Sequence, residues 1–287
     1  MIFSALFMSG FIQIVIMFLL IIFFLLKLTV GMNYDEHLTN VALNISQSSY
    51  CMSNSNSWSC ATCSPSNIYE TKLDKNGAIV IFGFNHEYES IFIGFRGSSN
   101  IQNWISNIQI KQIQPYDDEQ LYMEKGFYNL YYSMKDSIMY ILDSLSIKYN
   151  TYNVFATGHS LGGALATVFA FDMMYMKDKY NIKYVITFGS PRVGNEYFAQ
   201  YFYSFDIYSK RITHYYDIVP HVPEEFLNYR HIYNEVWYNE NNSLYKICND
   251  EIHEDSSCSN SCSPTKCTSI NDHLNYLNIS MGNDGLC

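Results

Sequence analysis

The five residues Gly158-His159-Ser160-Leu161-Gly162 constrain this chain more than any other stretch. They stand between Tyr152 to Gly158, patterned as a strand, and Leu161 to Tyr180, a long apolar run that reads as a helix. A backbone that turns so sharply from strand to helix has room only for glycine beside the serine, and it leaves the serine Oγ presented at the helix N-terminus. Ser160 is the candidate nucleophile. The bare pattern is common by chance and alone would read as a Gly-rich turn; the flanking strand and helix give it meaning. His159 lies inside the pattern, but a neighbour on such a turn points away from the serine. It reads as a packing or hydrogen-bonding histidine rather than a base.

A serine hydroxyl needs a general base, and the base needs an acid to hold its tautomer and offset its charge. Where a serine sits on such a turn, the acid and then the base follow it in the chain. Asp217 comes after the strand-like Arg211 to Tyr216 and before Ile218-Val219-Pro220, at a strand end. His273 lies late, at the start of a short amphipathic segment, and His221 and His231 compete with it. Order along the chain does not separate the three.

Around this centre, Gly77 to Phe84 and Ser90 to Phe95 are short apolar runs separated by a polar turn and read as neighbouring strands. Residues 32 to 50 read as a helix or extended arm. From Met123 to Tyr149 the residues Phe127, Leu130, Tyr131, Met134, Ile138, Ile141, Leu142 and Leu145 recur at three and four, the period of a helix packed on one face. Lys183 to Phe188 and Arg211 to Tyr216 add two strands. This alternation predicts an α/β layer structure with a largely parallel sheet. Nothing divides residues 31 to 287, so they are read as one domain.

Residues 1 to 30 differ from the rest: 24 of the 30 are apolar and the one charge is Lys27. This head reads as a signal peptide or as an uncleaved membrane anchor. An anchor with Lys27 on the cytosolic side would leave the remaining chain in the cytosol, which conflicts with eight cysteines at 51, 60, 63, 248, 258, 262, 267 and 287. An even count beyond an export segment points to disulfides. A zinc reading of Cys60 and Cys63 needs a second ligand pair at comparable spacing, and Cys258, Cys262 and Cys267 match it poorly. No metal is therefore expected. Three acceptor sequons, at Asn44, Asn241 and Asn278, are compatible with the secretory route. Seventeen basic against 27 acidic residues give a net charge of -10, which excludes nucleic acid as a partner.

Five blocks now carry a family resemblance: Phe95-Arg-Gly-Ser-Ser-Asn-Ile-Gln-Asn-Trp104, Thr157 to Gly163, Thr187-Phe-Gly-Ser-Pro-Arg-Val-Gly-Asn195, Asp217-Ile-Val-Pro220 and Asp272-His-Leu274. In this order they resemble the fungal-type class 3 lipases, an α/β-hydrolase family, over residues 34 to 287. The resemblance implies a predominantly parallel central sheet with flanking helices and a short helical lid. It selects His273 over His221 and His231, making Ser160, Asp217 and His273 a triad. It implies an oxyanion hole from the backbone N-H groups of Ser98 and Leu161, assisted by the Ser98 hydroxyl. It further implies the bonds Cys51 to Cys287, Cys60 to Cys63 and Cys248 to Cys258. Cys262 and Cys267 depart from the family pattern, and their pairing with each other is the remaining expectation.

Ile101, Trp104, Ile105 and Ile108 fall at i, i+3, i+4 and i+7, with Gln102, Asn103, Ser106 and Asn107 on the other side. Periodicity alone favours a helix buried permanently in the core; the resemblance makes it the lid beside the oxyanion residue. The expectation is a secreted, monomeric serine lipase acting on triacylglycerols at a lipid-water interface, without cofactor. A phospholipase A or a feruloyl-type esterase shares these motifs. A membrane-anchored lipid-binding protein with a vestigial site is the non-enzymatic alternative, and the complete set Ser98, Ser160, Asp217 and His273 argues against it.

Overall fold

Ile79-Val80-Ile81-Phe82 has no polar residue to turn towards water, so it must be covered on both faces, as strands of a layered α/β sheet are. In the computed structural model, which describes residues 33–52, 57–108, 110–262, 266–282 and 287, this run lies in a strand buried along its whole length. The apolar head, expected as an export segment or anchor, lies outside the described residues. Among the described residues no helix is long and apolar enough to cross a membrane.

The chain from Glu36 onward forms one compact unit. It begins with α1 (Glu36–Cys51), β1 (Asn67–Lys75), β2 (Ala78–Asn85), β3 (Ser90–Phe95), α2 (Ile101–Asn107), β4 (Gln112–Ile113) and β5 (Met123–Glu124). There follow α3 (Lys125–Tyr149), β6 (Asn153–His159), α4 (Leu161–Tyr175), β7 (Asn181–Phe188), α5 (Glu196–Tyr203) and β8 (Tyr208–His214). It ends with β9 (Glu235–Tyr238), β10 (Tyr245–Ile247), α6 (Ile270–His273), β11 (Asn275–Tyr276) and β12 (Ile279–Ser280). The main sheet has the order β1-β2-β3-β6-β7-β8-β9-β10. Its centre, from β3 to β9, is parallel, and both edges are antiparallel. This is the α/β-hydrolase architecture.

The two faces of β2 and β3 are covered by different helices. Val80, Phe82, Ile91, Ile93 and Phe95 share a core with Phe127, Tyr131, Met134, Ile138 and Leu142 of α3 and Leu165, Val168 and Phe169 of α4. Burying each such side chain contributes roughly 1.5–3 kcal/mol. On the other face α1 comes so close that a Cβ on Gly94 would stand 2.9 Å from Ile45 Cγ2. The one acid in the apolar helix α4, Asp172, is buried; it accepts from Tyr116 (2.9 Å) and Tyr131 (2.6 Å) and pairs with Lys135 (2.7 Å). A buried carboxylate with three partners avoids the penalty of a lone one.

Several boundaries differ from the sequence expectation, each for a local reason. Met123 and Glu124 pair with Gln112 and Ile113, so α3 starts two residues late, with the Glu124 carboxylate capping Phe127 N at 2.6 Å. The long helix ends at Tyr175 rather than Tyr180, because Lys177 takes φ +53° and Asp178 N bonds back to Met173 O. β8 ends at His214, and Tyr215 turns away at φ +34°. The edge strands β1, β9 and β10 and helix α5 carry no periodicity that set them apart in the sequence.

The structure forms the bonds Cys51–Cys287, Cys60–Cys63, Cys248–Cys258 and Cys262–Cys267. The first ties the end of α1 to residue 287, across 236 positions of sequence.

Candidate active site

Ser160 is the single residue between β6 and α4 and takes φ +60°, ψ −129°, a conformation that costs a non-glycine residue about 1–3 kcal/mol. The surroundings enforce it. A Cβ on Gly158 would lie 2.3 Å from the Gly162 carbonyl, and one on Gly162 would lie 2.0 Å from Phe95 O. Glycine is required at both positions because the turn presses against itself and against the end of β3. Ser160 N donates to Phe188 O at 2.9 Å, which ties the turn to β7.

The loops leaving the carboxyl ends of the parallel strands bring the other candidates to the same end of the sheet. Asp217 follows β8; Ser269, on the neighbouring segment, caps the four-residue α6, on which His273 is the last residue. His273 Nδ1–H donates to both Asp217 carboxylate oxygens, at 3.0 and 2.9 Å. Asp217 also accepts from Val219 N at 2.8 Å and from the Tyr276 hydroxyl at 2.5 Å. Burial, and then the Asp217 charge, push the Tyr276 phenol well above its usual range, so it remains a donor. With Nδ1 carrying the proton, His273 Nε2 presents a lone pair. That nitrogen and Ser160 Oγ are both buried and without a hydrogen-bond partner among the described residues. Buried polar atoms are normally satisfied, and an exception calls for an explanation, a catalytic role being one.

The main chain at His273 is also held. His159 Nε2–H donates to His273 O at 2.8 Å, while the Tyr50 hydroxyl donates to His159 Nδ1 at 2.8 Å. Burial, and after it the close approach of the His273 ring, holds the His159 pKa well below the usual value. The ring is thus neutral with one defined tautomer. His214 bridges Asp272 O (2.9 Å) and Glu240 O (3.1 Å), and Gln47 pairs with Gly282 through both its amide atoms, at 2.7 and 2.9 Å. Gly189, at φ +53°, leaves the space under the pair: a Cβ there would be 2.8 Å from Asp217 Oδ2 and 3.0 Å from His273 Nδ1. Tyr50, Gln47, His214 and Tyr276 escaped sequence reasoning, and Gly189 was marked only as part of the block from Thr187 to Asn195. Tyr276 left a signal too, three residues beyond His273 in the same short segment.

His221 and His231 are placed elsewhere. His231 is buried, donates through Nε2 to Pro220 O at 2.6 Å, and is held well below its usual pKa by burial and by Arg211 and Arg192. His221 lies 3.8 Å from Cys262 Sγ, its pKa lowered to about 4, chiefly by burial. His221 stands with Cys262 and Cys267 in a cluster close enough to hold an ion, but both sulfurs are spent in a disulfide and offer no thiolate.

Ser98 follows β3; its hydroxyl donates to Asn100 O (3.2 Å) and accepts from Asn100 N (3.3 Å). Leu161 is the first residue of α4, where helix geometry gives the N–H no acceptor four residues back. Asn100 caps α2, accepting from Asn103 N at 3.0 Å. Trp104 stacks on Phe127 with ring centres 6.2 Å apart, and Trp104 and Ile108 pack on the core. Ile101 and Ile105 are half-buried, and Gln102, Asn103 and Ser106 face water. The apolar side of this helix is turned towards the protein.

Comparison with known proteins agrees with this geometry. Residues 92–227 match the family described as Lipase (class 3). A lipase of Rhizomucor miehei is 32% identical over 255 residues, covering 85% of this chain and 68% of that protein. A lipase of Rhizopus niveus is 32% identical over 257 residues, covering 85% of this chain and 63% of its own length. A solved triacylglycerol lipase, described as having a serine protease triad at its catalytic centre, superposes with a TM-score of 0.79 at 29% identity, covering 88% of this chain and 97% of that one. The chain therefore belongs to the class 3 lipase family and is a carboxylic ester hydrolase on the α/β-hydrolase fold.

Proposed function

We propose that this protein is a secreted lipase that hydrolyses triacylglycerols through Ser160, His273 and Asp217. The observation that carries the reading is the pair of buried, unpartnered atoms Ser160 Oγ and His273 Nε2, with Asp217 holding the far side of the imidazole. His273 Nε2 takes the hydroxyl proton as Ser160 Oγ attacks the ester carbonyl. The bond between the acyl carbon and the glyceryl oxygen breaks, Nε2 gives its proton to the departing diacylglycerol oxygen, and an acyl-Ser160 ester remains. Water, deprotonated by the same nitrogen, then releases the fatty acid. Asp217 fixes the tautomer and offsets the imidazolium charge.

The oxygen that becomes negative in both steps is assigned to the N–H groups of Ser98 and Leu161. One donor in such a hole is worth about 3–4 kcal/mol in the transition state. The Ser98 hydroxyl assists after leaving Asn100. Helix α2 acts as the lid: its opening exposes Ile101, Trp104, Ile105 and Ile108 to lipid. This chemistry uses no metal or organic cofactor. Four disulfides and the apolar head support export, and the enzyme acts as a monomer.

The test is a panel of tri-, di- and monoacylglycerols, phosphatidylcholine and feruloyl esters, with Ser160→Ala as control. Triacylglycerol should be turned over at least ~1000-fold faster by the parent than by the variant. Equal rates on every ester would defeat the hydrolase assignment. Preferred turnover of phosphatidylcholine or feruloyl esters would replace the substrate class and keep the triad.

A further inference from the structure

Phe226 is 83% exposed, the highest value for any large apolar side chain among the described residues, yet the turn that carries it is firmly held. It is the middle residue of a 3-10 turn, Glu225–Leu227, that ends with Asn228 at φ +64°. Arg192, itself buried, donates to Pro223 O (2.9 Å) and to the carboxylates of Glu254 (2.8 Å) and Glu225 (3.4 Å). Arg230 Nη1 donates to Glu225 O at 2.8 Å, and Arg230 N donates to Gly194 O at 2.8 Å. Five bonds fix the backbone and its neighbours while the phenyl ring alone is left in water. Single exposed apolar residues are ordinary; one held outward by a buttressed turn at the end of the sheet that carries the candidate site is not.

The position follows from topology. The segment from Asp217 to Arg230 leaves β8 at the carboxyl end of the parallel strands, the end that carries Ser98, Ser160 and Gly194. Gln112 Nε2 donates to Asn228 O at 3.0 Å, which ties this turn to the strand that follows α2. Two residues before Gln112 stands Ile110, 48% exposed. An outward phenyl ring and an outward isoleucine thus flank the bond joining the acid loop to the exit of the lid helix.

We propose that Phe226, with Ile110, is a fixed anchor that inserts into an uncharged lipid surface and holds the mouth of the site against it, whether or not α2 has opened. The proposal rests on the lipase reading above. Charge selects the partner: of the two acids before Phe226, Glu225 is paired with Arg192 and Glu224 adds to a chain whose net charge is -10. An anionic membrane is repelled by Glu224 and by the net charge, whereas an uncharged acylglycerol surface is not. Phe226 differs from the lid residues in needing no conformational change to reach lipid.

Binding is measured by flotation with phosphatidylcholine vesicles carrying trioleoylglycerol, in a Ser160→Ala background so that no substrate is consumed. Adding Phe226→Ala should weaken binding about tenfold, the loss expected from removing one inserted ring. Phe226→Leu should retain most of it. In the active enzyme, Phe226→Ala should slow hydrolysis of emulsified trioleoylglycerol by a similar factor and leave the turnover of dissolved p-nitrophenyl acetate at the parent rate. Replacing part of the phosphatidylcholine with phosphatidylglycerol should weaken the binding of the parent. Parent-level binding by Phe226→Ala overturns the anchor, and equal or tighter binding to the anionic vesicles overturns the uncharged partner. A Ser160→Ala enzyme as active as the parent would instead defeat the hydrolase reading, leaving the flotation result to stand by itself.

Discussion

At the scale of the residue, the site is organised by side chains that seize backbone atoms. His159 is the clearest case: the residue beside Ser160, the proposed nucleophile, holds the carbonyl of His273, and its own tautomer is set by Tyr50. His159→Leu should therefore move the imidazole of His273 by a fraction of an ångström. A displacement near 1 Å costs on the order of 100-fold in rate, so kcat should fall by about 10- to 100-fold with KM close to the parent value. His159→Gln restores a donor at about the same reach and should recover most of the loss. Parent-level kcat in His159→Leu would show that His273 is held without this bond. The sequence marked His159 as a packing or hydrogen-bonding histidine from the geometry of the turn. It held no trace of Tyr50, 109 positions away, because that contact exists only after α1 packs across β6.

At the scale of the element, α2 shows what periodicity leaves undecided. Ile101, Trp104, Ile105 and Ile108 form one apolar stripe, and a stripe reads the same on a permanent core helix and on a lid. Here the stripe meets the protein through the Trp104–Phe127 stack, while the other side of the helix is uncharged and polar. If α2 opens at lipid, hydrolysis of a short triacylglycerol should rise abruptly as its concentration crosses the solubility limit. Trp104→Ser should blunt the rise while changing the rate below the limit by no more than ~3-fold. A smooth saturation curve for the parent would count against a working lid. Elements with a strong local signal were legible: α3 with its three-and-four spacing, β2 with its unbroken apolar run, and the β6–α4 turn with its glycines. Short edge strands such as Tyr245–Ile247 were not, since three residues exposed along an edge carry no alternation to read. The acid and base candidates were legible in chain order, but distinguishing His273 from His221 and His231 needed either the resemblance or the hydrogen bond to Asp217 itself.

At the scale of the whole molecule, the buried histidines couple stability to pH. His159 and His231 are enclosed and neutral, each donating to a carbonyl, and burial holds both pKa values well below the usual histidine value. His231 faces Arg211 and Arg192 across the packed loops and donates to Pro220; His159 faces His273, Tyr50 and Tyr276. Such groups bind protons more readily once the chain unfolds. Their contribution is fully present above the unfolded histidine value of about 6.5 and is lost progressively as pH falls below it. Glu254 belongs to a lower window: burial raises its pKa, but the bonds from Arg192 outweigh that and hold it below the usual value. Its contribution is present above the unfolded carboxylate value of about 4.3 and fades only below it. Urea midpoints should therefore decline between about pH 6.5 and pH 5, before Glu254 titrates. His231→Gln keeps an amide donor for Pro220 O but has no proton to gain, so it should flatten part of that decline even if its midpoint is lower throughout. A parent midpoint that stays level across this window would mean that the unfolded chain does not take up the protons that the buried rings refuse. A decline equally steep in His231→Gln would assign it to the remaining histidines.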